Sequence, residues 1–148
     1  MILLDANILI YSVNADAPLH KKAKVWLETT LSGPETVGLP WTVVLAFLRL
    51  STRAGIFSKP LLVKAALDIA GAWLNQPNVV IVEPSMRHLP VLRELLLAAG
   101  TGGNSTSDAH LAALAIEHRA ELCSADSDFA RFPGLRWRNP LTPTTRPS

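Results

Sequence analysis

Short apolar runs separated by helix-length intervals constrain this chain more than any other feature. Ile2-Leu3-Leu4 ends at Asp5, residues 36–39 form a second run, Val79-Val80-Ile81-Val82 a third and residues 121–124 a fourth. Each has the length of a strand. The third is β-branched throughout, as in a sheet covered on both faces. A last short strand is expected at 135–137. The intervals carry helical patterns instead. Residues 6–11 follow Asp5 directly. A helix opened by Pro18 puts Ala23, Trp26, Leu27 and Leu31 on one face and ends at Gly33-Pro34. Residues 41–52 are apolar almost all round. Ser58 reads as the N-cap of the next helix, with Pro60 in its first turn and Lys64 and Asp68 as an i,i+4 pair. Helices are also predicted over 86–99, stopped by Gly100, over 106–118 and, briefly, over 127–131. Strands alternating with helices predict an α/β fold: a three-layer α/β/α sandwich around a parallel sheet of four to five strands.

No linker or internal repeat divides residues 1–141, which are expected to form a single domain. The polar, proline-containing tail 142–148 is expected to be disordered. Of the 148 residues, 49% are hydrophobic and 18% charged, which suffices for one core. The apolar excess also suggests a surface that meets a partner, and the helix over 41–52 is its natural place. A net charge of +2 permits a nucleic-acid partner without requiring one. Arg131, Arg136 and Arg138 form either a basic patch or a solvated rim. The single cysteine, Cys123, excludes an internal disulfide and a cysteine zinc cluster, and its apolar neighbours make it a buried strand residue. No segment has the length of a membrane span, and the start lacks the basic leader of a signal peptide. A cytoplasmic location is expected.

In an open parallel sheet, ligands bind beyond the carboxyl ends of the strands. That rule selects Asp5 after the first strand, and Asp126 and Asp128 after the strand ending at Ser124. Asp108 lies at the start of the helix leading into that strand. Singly, each acid has a plain alternative. Asp5 and Asp126 suit helix N-caps, and Asp108 suits a capping box begun by Ser105. Asp128 is two residues from Asp126 and on a helix would face elsewhere. Jointly, carboxylates on one rim repel, by roughly 4 kcal/mol for two charges about 4 Å apart at an effective dielectric near 20. No lysine or arginine adjoins them in sequence, so a divalent cation is the expected compensation. All-oxygen ligands select Mg²⁺ or Mn²⁺, ions suited to phosphate chemistry.

Other chemistries lack their motifs. There is no G-x-S-x-G elbow and no P-loop lysine. The glycine-rich stretch 100–104 follows no strand, so it is not a dinucleotide fingerprint; it is a rim that touches phosphates or a plain flexible loop. His20, His88, His110 and His118 are scattered, and His110 is expected to point away from Asp108. The four tryptophans read as core or interface.

Leu4-Asp5-Ala6-Asn7, then Ser107-Asp108-Ala109-His110-Leu111-Ala112-Ala113-Leu114-Ala115, then Ser124-Ala125-Asp126-Ser127-Asp128-Phe129 resemble, in order and spacing, the motifs of PIN-domain ribonucleases. The resemblance is specifically to VapC toxins of bacterial VapBC toxin–antitoxin pairs and covers nearly the whole chain. It implies a PIN-like fold and a Mg²⁺- or Mn²⁺-dependent endoribonuclease acting on structured RNA such as tRNA or rRNA. It implies Asp5, Asp108 and Asp126 as metal ligands, Asp128 as a further catalytic acid, and Asn7 and Ser124 as residues that orient them. It also implies a homodimer silenced by a VapB-type antitoxin. One departure stands out: Phe47 occupies the place of a glutamate usual in that family. This predicts a site of lower charge, with Glu35, Glu83 and Glu94 as conceivable substitutes. A domain that binds RNA or protein without cutting, and a metal-dependent phosphatase of another α/β fold, are the competing expectations.

Overall fold

The computed structural model describes residues 1–100 and 104–142. Five parallel strands form one sheet in the order β3-β2-β1-β4-β5: β1 (Ile2–Leu4), β2 (Val37–Pro40), β3 (Val79–Val82), β4 (Glu121–Cys123) and β5 (Trp137–Arg138). Six helices pack on it: α1 (Ala6–Val13), α2 (His20–Leu31), α3 (Trp41–Ser51), α4 (Val63–Leu74), α5 (His88–Ala99) and α6 (Asn104–Glu117). A 3₁₀ turn, Ser127–Arg131, follows β4. The expected α/β sandwich with a parallel sheet is the observed architecture.

The strand order places the site. The chain runs from β1 outward to β2 and β3, then returns to lay β4 on the other side of β1. The carboxyl ends of β1 and β4 therefore flank the point where the order reverses, the place where such sheets bind ligands. Leu3, Leu4, Leu122 and Cys123 in these two strands have no exposed surface. Next to them, α6 is packed through Ala109, Ala112, Ala113 and Ala115, all at 0% exposure. Methyl side chains let this helix lie close to the sheet, which holds its first turns over the rim. Burial of Cys123 raises its thiol to about 11, so it is an inert core residue, as its neighbours predicted.

Several elements differ from expectation. β3 is an edge strand, and Val80 and Ile81 are exposed, so its β-branched run is not covered on both faces. α4 begins at Val63, preceded by Leu62 and not by Ser58. The Ser58 hydroxyl is taken by the Asp16 carboxylate, which removes it as a cap. Lys64 and Asp68 do pair, at 2.8 Å on the surface. α5 starts two residues later than predicted, leaving Met86 outside it, and ends at Gly100, whose φ of 74° suits glycine. The last strand lies at Trp137–Arg138. Residues 101–103 of the glycine-rich stretch and 143–148 of the tail lie outside the described residues. Among the described residues, no helix is long and apolar enough to cross a membrane.

Gly38 shows how tightly the strands fit their cover. A Cβ there would lie 2.6 Å from Val82 Cγ2 and 3.2 Å from Leu3 Cδ1. Gly38→Ala is expected to destabilise the fold by about 1–3 kcal/mol, read as a lower urea midpoint at unchanged slope.

Candidate active site

Ser124 is the polar centre of the rim. It directly follows β4 and is fully buried. Its hydroxyl donates to Asp5 Oδ2 at 2.7 Å and accepts from Asn7 Nδ2 at 3.1 Å and from the Asp126 amide at 3.0 Å. A hydroxyl has one hydrogen and two lone pairs, so its capacity is used in full. Asn7 Oδ1 in turn accepts the Ala125 amide at 3.2 Å, and Trp137 Nε1 donates to the Ser124 carbonyl at 3.1 Å. Asn7 and Ser124 thus tie the start of α1 to the end of β4.

Asp5 caps α1: its Oδ1 accepts the Ala6 amide at 2.7 Å. Asp126 caps the 3₁₀ turn, accepting the Asp128 amide at 2.9 Å. The capping alternatives are therefore true of both, and they fix the acids without exhausting them, because each carboxylate oxygen keeps a second lone pair. Burial pushes the Asp5 carboxyl above its usual value against the pull of Ser124 and the Ala6 amide, and the Asp126 charge adds to the rise. Burial also raises Asp108, reinforced by Asp126 and, more weakly, by Asp5 and Asp128; only Arg131 opposes it.

Arg131 corrects one expectation. A cation does reach the acids: Arg131 Nη2 lies 3.2 Å from Asp108 Oδ2. It arrives from the 3₁₀ turn, 23 residues on, where adjacency in sequence gives no sign of it. The other two late arginines are committed elsewhere, Arg138 to Glu121 at 2.9 Å and Arg136 to the Arg119 carbonyl at 2.7 Å. They form a tied rim.

A cleft of about 590 Å³ opens between α3 and α6, with Asp5, Asp108, Thr42, Arg49, Leu92 and His110 among its lining. Asp5 and Asp108 both line it. Asp126, whose amide Ser124 holds and whose charge acts on both, and the exposed Asp128 are not among its lining. Among the described residues, no three acidic, histidine or cysteine side chains stand close enough to enclose an ion by themselves. The donors nevertheless suit a hard divalent cation that keeps part of its water. They are all carboxylates, they repel one another, and they retain free lone pairs.

Phe47 is fully buried against Trp73, with ring centroids 4.7 Å apart at 65°, and does not line the cleft. Glu35 pairs with the chain's amino group at 3.0 Å, at the other end of the sheet, and Glu83 and Glu94 are outside the cleft as well. None of the three supplies an acid to the cleft. Two cleft residues went unranked or unseen in the sequence. Thr42, Leu45, Ala46 and Arg49 recur at i, i+3, i+4 and i+7 on α3, a stripe that could have singled out Arg49. His110, expected to point away from Asp108, lines the same cleft, because the cleft wraps round the first turns of α6. Nor are the histidines all scattered: His88 Nε2 lies 2.9 Å from His110 Nδ1.

The pattern of the PIN domain family matches residues 2–135. The chain is similar to ribonuclease VapC37 of Mycobacterium tuberculosis, 48% identical over 140 residues that cover 95% of this chain and 97% of that protein. It is 40% identical to ribonuclease VapC33 of the same species over 141 residues, covering 95% and 99%. Its fold is similar to VapBC2 from Rickettsia felis bound to a promoter DNA fragment (TM-score 0.68, 22% identity, covering 94% and 98%). It is similar also to Mycobacterium tuberculosis VapC20, a sarcin-ricin loop cleaving toxin (TM-score 0.67, 21% identity, covering 92% and 99%).

Ser124→Ala leaves the Asn7 amide, the Asp126 amide and an Asp5 oxygen without their partner. A loss of about 1–3 kcal/mol is expected, measurable by denaturant unfolding. The raised Asp108 carboxyl also fixes a sign. A carboxyl whose folded value exceeds its unfolded one adds stability below the unfolded value, and that stability is lost as pH rises through the folded value. In metal-free protein the Tm of Asp108→Asn relative to wild type is therefore expected to climb as pH rises through the carboxylate range; a flat difference would contradict the raised value.

Proposed function

This chain belongs to the PIN-domain family, and we propose that it is the toxin of a toxin–antitoxin pair, an endoribonuclease of the VapC kind that requires Mg²⁺ or Mn²⁺. One observation carries the chemistry: the Ser124 hydroxyl gathers Asp5, Asn7 and Asp126 at the reversal point of the sheet, facing Asp108 across a cleft. The ribonuclease activity rests on that site in a chain so similar, end to end, to ribonucleases VapC37 and VapC33.

Asp5, Asp108 and Asp126 would hold the ion, with Asp128 a further acid beside them. When bound, the ion lowers the pKa of a water molecule and offsets charge on a phosphate. The protein's own part is placement. Ser124 and the Ala6 amide lock the Asp5 carboxylate, and Asp126 is locked through its cap, so neither has to be ordered when substrate arrives. Arg49 is exposed in the cleft and suits the phosphate backbone of RNA. Arg131 screens Asp108 in the absence of the ion and is close enough to turn to phosphate in its presence. α3 contributes no acid to the cleft, which favours a single ion completed by water and substrate oxygen.

Structured RNA, tRNA or rRNA, is the substrate class this reading carries forward. The partner surface is α3 with α4, where Trp41, Leu45, Val63 and Leu67 are all about half exposed or more. Their apolar stripe suits an amphipathic helix of a VapB-type antitoxin, or a second copy of the chain. The competing reading, a domain that binds RNA without cutting, draws on Phe47 in place of a glutamate. It leaves unexplained why repelling carboxylates are kept. A phosphatase built on an Asp-x-Asp start is disfavoured, because Asn7 stands at the second position and is bound to Ser124 and Ala125.

Protein freed of antitoxin, incubated with total cellular RNA and Mg²⁺ or Mn²⁺, is expected to produce discrete new RNA ends. They should vanish with a chelator and in Asp5→Asn. A folded wild type that cuts nothing with either ion would overturn the ribonuclease reading in favour of the binding domain.

A further inference from the structure

The cleft holds a second polar device beside its acids. His110 Nδ1 lies 2.9 Å from His88 Nε2, with the rings crossing edge to face at a centroid distance of 4.8 Å. His88 Nδ1 lies 2.5 Å from Glu117 Oε2. Glu117 Oε1 accepts from both the amide and the hydroxyl of Ser85, at 3.0 and 2.5 Å. The Glu117 side chain is 2% exposed and that of His88 15%. Burial pushes the Glu117 carboxyl up, but the donors from Ser85 and His88 outweigh it and hold it below its ordinary value. As an ion it only accepts, so His88 Nδ1 carries the hydrogen. His88 Nε2 is committed to His110, and the ring of His110 is thereby fixed at one nitrogen. Among the described residues, His110 Nε2 has no hydrogen-bond partner, and the edge that bears it is the one offered to a ligand.

Helices α5 and α6 need none of this to pack, since Val91 and Leu95 already join α5 to the core. Burying a carboxylate and an imidazole is costly unless every partner is supplied, and leucines would close the gap more cheaply. The chain of bonds instead ends on a ring that lines the cleft. The cleft that His110 lines also has apolar walls, Leu45 of α3, Leu92 of α5 and Leu111 of α6. A cleft of about 590 Å³ falls within the size of small-molecule sites. Carboxylates for a metal and phosphate, apolar walls and one fixed polar edge are what a nucleotide presents contacts for. Proteins that read single-stranded RNA cover the faces of a base and hydrogen-bond its edge.

We propose that the cleft contains a base-reading subsite, in which a nucleobase of the bound RNA lies against Leu45, Leu92 and Leu111 while His110, aimed by Ser85, Glu117 and His88, hydrogen-bonds its edge. The inference takes its substrate class from the ribonuclease reading; the pocket itself does not depend on cutting. His110 is the residue that touches substrate, and His88 and Glu117 are positioning residues.

The test pairs two readouts on wild type, His110→Ala, His110→Gln and His88→Gln, each first shown to be folded by its Tm. Binding of single-stranded RNA oligonucleotides that differ in one repeated base is measured by fluorescence anisotropy without metal, and cleavage-site preference is mapped with Mg²⁺. Wild type is expected to prefer one base. His110→Ala should reduce that preference about fivefold, the worth of one hydrogen bond, with a loss that falls more on KM than on kcat. His110→Gln, which keeps a polar edge, should recover part of it, and His88→Gln should weaken it without touching substrate. Base-dependent binding that His110→Ala abolishes, in a wild type that does not cut, would support the subsite and sink the ribonuclease reading. Cutting or binding whose base preference is absent, or is the same in His110→Ala, would overturn the subsite and leave the ribonuclease reading standing wherever cuts occur.

Discussion

The saturated hydroxyl of Ser124 is the interaction on which the rim depends. One hydrogen and two lone pairs join the ends of β1 and β4, the first turn of α1 and the start of the 3₁₀ turn. The group is fully buried, so no water stands ready to replace a lost partner. The hydroxyl binds the Asp5 carboxylate and the Asp126 amide and brings no charge to the acids. Burial raises the carboxyls of Asp5 and Asp108, and the Asp126 charge adds to the rise in both. Such a rim is where we propose that a cation binds. Arg131 supplies part of the charge at Asp108 and none to Asp5.

The fold supplies what Ser124 needs. Reversal of strand order between β1 and β4 brings two loops to one place, and neither strand is long enough to carry its own site. Alanines on α6 let its first turns approach, so Asp108 faces Asp5 from a different layer. α3 closes the cleft with a stripe that carries Arg49 and no acid, while Phe47 turns inward to Trp73. Phe47 is thus part of the core and adds no polar group to the cleft.

Much of this was legible in the sequence, because strand ends and helix starts are where apolar runs meet polar residues. Asp5, Asp126 and Asp108 stand at such junctions, and Asn7 and Ser124 lie beside them. What stayed hidden depends on contacts between distant elements. Arg131 reaches Asp108 across a turn. His110 and Glu117 lie seven residues apart on α6, but His88, which joins them, comes from α5, and no spacing within one helix reveals that. β-branched runs announce a strand but not what covers it, which is why β3 reads as covered on both faces and lies partly exposed at the edge. Ser58 has the chemistry of a cap, and a competing carboxylate from Asp16 decides otherwise.

The central claim is that Ser124 organises carboxylates to hold one divalent ion. The most direct measurement is calorimetric titration of Mn²⁺ into the antitoxin-free protein and into Ser124→Ala. The account predicts a single saturable site in wild type, weakened about 10–100-fold in the variant, the usual cost of removing a group that orients metal ligands. Absence of saturable binding in wild type, or equal affinity in the two proteins, would contradict it.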